Sequence, residues 1–349
     1  MMNISLPIAI TMGEPSGIGG EIALKAWLRR EELRLTPFFL VDDPNRLSSI
    51  SSRLDWNVPV RIIDTARDAL EVFSSALPVL PTNLSIPAIP GQPRSENANT
   101  SVESIRRAVG LVLSYEAAAV VTNPIQKKTL YDAGFDHPGH TEFLAELART
   151  TKPPIMMLAC DTLRVVPVTV HQSLADAIRS LSKEKIVAAS EQTILSLRQD
   201  FGIDRPHLMV AGLNPHAGED GSMGREEIDI IQPAITHLKR LGYSITGPAP
   251  ADTLFHDRAR ENYDAAICMY HDQALIPLKT IDVRSGVNIT LGLPFVRTSP
   301  DHGTALEIAG TGAADESSFV AALRAAASIF VNRNASQQTG HERIFRLAP

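Results

Sequence analysis

The chain has 349 residues, 44% of them hydrophobic and 21% charged, the proportions of a globular protein long enough for about two domains. Its 39 acidic and 33 basic residues leave a formal charge of −6, so no basic excess exists to displace counterions from a nucleic acid. No apolar run approaches the roughly 18 residues of a membrane helix, and MMNISLPIAI lacks the basic and long apolar segments of a secretory signal, which predicts a cytoplasmic protein with no membrane partner.

Taken in chain order, the first strand candidate is PIAIT (7–11), which runs through the turn MGEPSGIGG into a helical pattern. Gly13, Gly17, Gly19 and Gly20 match neither G-x-G-x-x-G nor the P-loop spelling. The turn therefore reads either as a phosphate cradle or as a tight strand-to-helix connection whose glycines take positive φ. PFFLV (37–41) is the next strand, and the proline-rich stretch 78–93 predicts an extended excursion over the surface. TSVESIRRAVGLVLSYE opens with a capping-box spelling, Thr100 to Glu103, and aligns Val102, Ile105, Val109 and Val112 on one helical face. Further strands are AAAVVT (117–122), VVPVTV (165–170), HLMVAG (207–212) and DAAICMY (264–270). Such runs alternating with helical segments predict an α/β protein built on mostly parallel sheets. Cys160 and Cys268 lie in apolar runs and read as structural thiols in a reducing compartment. The residues after Phe330 read as a loosely held tail.

Three histidines follow strand candidates in three separate units: His171 after VVPVTV, His216 in NPHAGEDG, and His271 after DAAICMY. Ligands of open α/β sheets bind beyond the carboxyl ends of strands, so these imidazoles either converge on a catalytic metal or are ordinary hydrogen-bonded loop residues. Glu219, Asp220 and Asp272 lie beside them and either orient imidazoles and exchange protons or belong to a solvated loop. PGHTEFLAELA starts a helix at Gly139-His140-Thr141, where free backbone N–H groups favour an anion, although Thr141 also suits an ordinary N-cap. Lys279, Asn288 and Arg297 fall in a segment poor in other charges, with Arg297 just before a turn-like TSPD. Lys279 either snorkels or joins Arg297 in a phosphate or carboxylate clamp.

GEPSGIGGE, TNPIQKK, PGHTEFLAEL, GLNPHAGEDGSMGREE, PADTLF, MYHDQALIPLK and GVNITLGLPFVRTSPDHGTALEIAG together resemble the 4-hydroxythreonine-4-phosphate dehydrogenases of vitamin B6 biosynthesis, from about residue 6 to residue 328. The resemblance implies NAD-dependent oxidation of 4-phosphooxy-L-threonine to a 2-amino-3-oxo acid that loses CO2 to give 3-amino-2-oxopropyl phosphate. It implies that His171, His216 and His271 bind one divalent ion, Zn²⁺, Co²⁺ or Mg²⁺, and that His140, Thr141, Lys279, Asn288 and Arg297 bind substrate. It further implies a homodimer whose two subunits share each metal site. A wider likeness to isopropylmalate and isocitrate dehydrogenases implies two α/β/α domains flanking a cleft. The first is expected over 1–125 plus 300–349 and the second over 126–299. In those enzymes NAD lies on a late H-G-S-A-P-D-I-A-G loop, matched here by residues 302–310, so that His302, Gly303, Thr304, Glu307 and Gly310 become the cofactor-binding residues. The early glycine turn then serves close packing near the cleft. Asp252 or Asp272 is expected to accept the proton. Two alternatives are a dehydrogenase of phosphorylated sugar acids such as 4-phospho-erythronate or threonate, and a phosphate acyltransferase of related architecture.

Overall fold

The computed structural model describes residues 4–137 and 139–346, the last of these, 337–346, as backbone only. The described residues contain twelve strands: β1 (Ile8–Thr11), β2 (Phe38–Asp42), β3 (Val60–Ile62), β4 (Leu77–Pro81), β5 (Val120–Val121), β6 (Ile155–Cys160), β7 (Leu163–Pro167), β8 (His207–Ala211), β9 (Ser244–Ala249), β10 (Ala265–Cys268), β11 (Val287–Leu291) and β12 (Arg297–Pro300). They divide between two compact units, Met1–Pro154 with Leu293–Val331, and Ile155–Gly292 with Asn332–Pro349.

In the first unit the strand order is β3-β4-β2-β1-β5-β12, and every pairing is parallel. Strands β1 and β2 are buried along their whole length, which explains why they read as continuous apolar runs rather than alternating ones. The helix Ala98–Leu113 lays Ile105, Val109 and Val112 against Phe39, Val41, Phe143 and Phe295 in the core of this unit.

Four sequence expectations change here. The helix starts at Ala98, so Thr100 is inside its first turn and not an N-cap; its hydroxyl donates to Asn83 O at 3.3 Å. Asn97 is instead occupied on both sides by the backbone of Ile86. The proline-rich stretch begins as strand β4, in which Leu77, Val79 and Leu80 are buried and which pairs with β2 on one side and β3 on the other. RTSP is not a turn but strand β12, with Arg297 opposite Val120 and Thr298 opposite Val121. The expected domain change at 125 falls inside the first unit, since Phe143 and Leu144 belong to its core.

In the second unit the order is β11-β6-β7-β10-β8-β9; β11–β6 and β6–β7 pair antiparallel, and the rest are parallel. Leu158, Val165, Ala266 and Cys268 meet Leu278 of the helix His271–Ile281 in its core. Burial pushes the Cys268 thiol far above its ordinary range, leaving it an inert core residue, while Cys160 at the end of β6 is only half-buried. The helix Ser317–Arg346 continues through the segment expected to be a loose tail. Its Arg333 holds the buried Asp200 carboxylate at 2.6 and 3.1 Å, and Asn332 donates to Asp200 O at 2.7 Å.

Candidate functional site

Strands β7, β10 and β8 are adjacent and parallel, and each is followed at its carboxyl end by one of the three histidines. Neighbouring strands place neighbouring imidazoles: the rings of His171 and His271 lie 6.2 Å apart, centroid to centroid. Both line a cavity of about 400 Å³ together with Thr169, Ser173, Tyr270 and Asp272. His171 reaches it with φ of 51°, a left-handed conformation that a non-glycine side chain holds only where its surroundings demand it. Its strand end is fastened to β10 by Val168 N donating to Cys268 O at 2.8 Å and Thr169 Oγ1 donating to Met269 O at 2.8 Å.

Asp272 Oδ1 stands 2.7 Å from His271 Nδ1. A carboxylate accepting from Nδ1–H fixes the tautomer that leaves Nε2 with a lone pair, the arrangement typical of a metal-binding imidazole. His216 does not join the pair. It is exposed and its Nδ1 lies 3.4 Å from Glu219 Oε2; among the described residues no three ligand groups of one chain come close enough to hold a metal together.

The loop carrying His216 is nonetheless built rather than slack. Residues His216 to Asp220 all have positive φ, between 41° and 80°. The buried Glu227 carboxylate holds this loop, accepting from Leu213 N and Asn214 N at 2.7 Å and from Asn214 Nδ2 at 2.9 Å. Buried Gln273 ties the ends of two histidine-bearing strands to each other, its Oε1 accepting from Met269 N and its Nε2 donating to Gly212 O, both at 2.7 Å. Sequence reasoning overlooked Glu227 and Gln273, because a buried polar residue within a helical run carries no spelling of its own. The only hint was their position in the long motifs MYHDQALIPLK and GSMGREE.

Asp252 is exposed in the short turn Ala251–Thr253 and lines a second cavity of the same unit, about 420 Å³, which also touches Asp272 and Gln273. Lys279 is exposed near the end of the helix that begins with His271. Asn288 lies on β11 opposite Leu158, and its buried Oδ1 has no partner among the described residues.

In the first unit, the helix His140–Leu147 starts where the sequence predicts, with Gly139 as N-cap. The His140 Nε2 atom is buried with no partner among the described residues, and burial, then the charges of Arg297 and Lys127, hold this imidazole well below the usual histidine range. Arg297 is buried, and burial lowers it to about 10, so it keeps its charge at neutral pH. Its Nη2 and Nε donate to Thr122 Oγ1 at 2.6 and 3.2 Å. Thr122 thus belongs with the anion group and lies in the TNPIQKK motif, which was the available signal.

The early glycine turn packs closely against two distant segments of the first unit. Gly13 (φ 70°) and Gly19 press on Asn123, where an added Cβ would come within 2.6 and 2.9 Å. A Cβ on Gly17 would meet Thr304 O at 2.9 Å, and Ile18 N donates to that same oxygen at 3.1 Å. The turn therefore packs against Asn123 and supports the 302–310 loop. At the far end of that loop Gly310 N donates to the buried Glu21 Oε2 at 2.8 Å. Gly303 faces open space, the His302 Nε2 atom is buried without a partner, and Glu307 is exposed.

The family model for pyridoxal phosphate biosynthetic protein PdxA matches residues 34–326. The chain is 51% identical over 330 residues to the 4-hydroxythreonine-4-phosphate dehydrogenase of Bradyrhizobium diazoefficiens, covering 92% of this chain and 96% of that protein. It is 49% identical over 334 residues to the enzyme of the same name from Caulobacter vibrioides, covering 94% and 99%. Among solved structures, the 4-hydroxythreonine-4-phosphate dehydrogenase of Klebsiella pneumoniae superposes with a TM-score of 0.81 at 39% identity, over 93% of this chain and all of that one.

Proposed function

The chain belongs to the PdxA family of pyridoxal phosphate biosynthetic proteins, and on that premise we propose that it oxidises the 3-hydroxyl of 4-hydroxythreonine 4-phosphate with NAD. The product, a 2-amino-3-oxo acid, loses CO2 to give 3-amino-2-oxopropyl phosphate. The observation that carries this reading is the His171–His271 pair at the ends of neighbouring parallel strands, with Asp272 holding the His271 ring.

The donor set suits a divalent ion such as Zn²⁺, Co²⁺ or Mg²⁺: two imidazoles converge, and Asp272 leaves Nε2 of His271 available. His216 completes the ligand set, and in the homodimer it is contributed across subunits, which accounts for its absence from the pair within one chain. The His302 to Gly310 loop suits NAD, because it has an open Gly303, an unpartnered His302 nitrogen and a backbone fixed by Glu21 and Ile18. Bound there, the cation would supply Lewis acidity at the substrate hydroxyl and NAD would supply the capacity to accept a hydride.

The remaining work falls to side chains. Asp272 is engaged with His271 and orients it, so Asp252 is the better placed of the two carboxylates to accept the hydroxyl proton. We assign His140, Thr141, Lys279, Asn288 and Arg297 to binding the charged and polar groups of the substrate. With its pKa depressed, His140 meets the substrate as a neutral imidazole and adds no charge to that of Arg297.

The test is NADH formation by the purified protein with 4-hydroxythreonine 4-phosphate beside 4-phospho-erythronate and 4-phospho-threonate. The largest kcat/KM is expected for the first. A preference for a phosphorylated sugar acid would move the protein to that substrate class, and no NADH from any of them would refute the dehydrogenase reading.

A further inference from the structure

We propose that Lys127 is a further substrate-binding residue, whose ammonium acts with the N-terminus of the helix His140–Leu147 and with Arg297 to hold the substrate phosphate. The inference rests on the reading of the substrate given above.

Lys127 opens the helix Lys127–Asp132, five residues after the Thr122 that anchors Arg297 of β12, so the segment that follows β5 carries both Lys127 and the hydroxyl that fastens Arg297. Its side chain folds back over the start of the other helix: a Cβ built on Gly139 would lie 3.5 Å from Lys127 Cε and 3.6 Å from Nζ. At that point the unpaired N–H groups of the first helical turn and a lysine charge act together. Arg297 and Lys127 are also the two charges felt by His140, which places all three in one electrostatic neighbourhood. The buried His140 Nε2 lies in the same neighbourhood and has no hydrogen-bond partner among the described residues.

The place already draws a negative group, since Glu142 Oε2 stands 3.5 Å from the same constructed Cβ. Glu142 is exposed and free to swing aside. A dianion has more to gain there than a carboxylate, because a phosphate offers three acceptor oxygens to the ammonium, the guanidinium and the backbone N–H groups together.

Three measurements test this. For Lys127→Ala, kcat/KM on 4-hydroxythreonine 4-phosphate should fall about ten- to a hundredfold, chiefly through KM, the loss typical of one charge-assisted contact. Lys127→Arg should restore most of it. On unphosphorylated 4-hydroxythreonine, Lys127→Ala and the parent protein should be equally poor. Inorganic phosphate, followed by calorimetry without any turnover, should bind the Ala variant at least tenfold more weakly, with metal content and NADH affinity unchanged. Equal phosphate affinity in parent and variant would overturn the proposal, as would an equal loss on the phosphorylated and unphosphorylated compounds. If the parent prefers a phosphorylated sugar acid, the substrate reading fails while the phosphate measurement still decides the role of Lys127.

Discussion

His140 and Arg297 show how burial sets the chemistry of single residues. An imidazole surrounded by protein and facing two cations binds its proton more weakly than in the unfolded chain, whose value is near 6.5. As the pH falls below that value the unfolded chain takes up the proton first, so the stability owed to this group is present above 6.5 and is lost progressively toward the lower folded-state pKa. Replacing His140 with Gln should therefore flatten the pH dependence of the urea midpoint between about pH 7.5 and 5.5. An unchanged slope would mean that the ring titrates normally. Arg297 contributes a charge that cannot easily be solvated by water, already oriented by Thr122. Arg297→Ala and Lys279→Ala are each expected to lower kcat/KM by roughly 10- to 150-fold, corresponding to about 1.5 to 3 kcal/mol, with metal content unaltered. Steady-state kinetics alongside metal analysis checks both.

At the scale of elements, the histidine loops are held by neighbours that have no chemistry of their own. Four of the five left-handed residues from His216 to Asp220 carry a side chain, and each costs about 1 to 2 kcal/mol relative to the right-handed form. The three hydrogen bonds into Glu227 offset part of this, so the loop conformation depends on one buried carboxylate. Glu227→Ala should leave Leu213 N and Asn214 N unsatisfied and release the loop. The expected loss of metal affinity is about 10- to 100-fold, the range seen when an outer support of a metal ligand is removed. Competition titration with a chelating dye would measure it, and unchanged affinity would show that His216 holds its position without Glu227. Gln273, bonded to the ends of both β10 and β8, is expected to behave in the same direction.

At the scale of the whole molecule, one chain brings two of three histidines to each other, so a metal site shared between subunits makes a definite prediction about mixing. His171→Ala and His271→Ala damage the same half of the site, and His216→Ala damages the other. Hybrid dimers of the His171→Ala and His216→Ala chains should regain up to about a quarter of the parental activity, since half of the dimers are hybrids and each hybrid has one intact site. Hybrids of His171→Ala with His271→Ala should regain none. Recovery in neither mixture, or a fully active monomer by sedimentation, would refute the shared site. Exhaustive chelation should abolish turnover in the parent, and added Zn²⁺, Co²⁺ or Mg²⁺ should restore the parent but not the histidine variants.

The sequence by itself determined whatever depends on local pattern. Continuous apolar runs marked β1, β2 and β10, since strands buried on both faces leave no alternation to obscure them. The period of Ile105, Val109 and Val112 marked a helix, and the glycine before His140 marked where another begins. Long motifs named the dehydrogenase family, in agreement with the curated relatives. Tertiary structure decided what depends on distant partners. Whether Leu77 to Pro81 and Arg297 to Pro300 are strands follows from the neighbours they pair with, β2, β3 and β5, which no local spelling can express. The glycine turn illustrates the same division: its spelling matches neither phosphate-binding fingerprint, and only the folded chain shows Asn123 and Thr304 O against Gly13, Gly17 and Gly19. Thr304 can approach Gly17 so closely only because that residue has no side chain, and that contact between segments distant in the sequence exists only once the chain has folded.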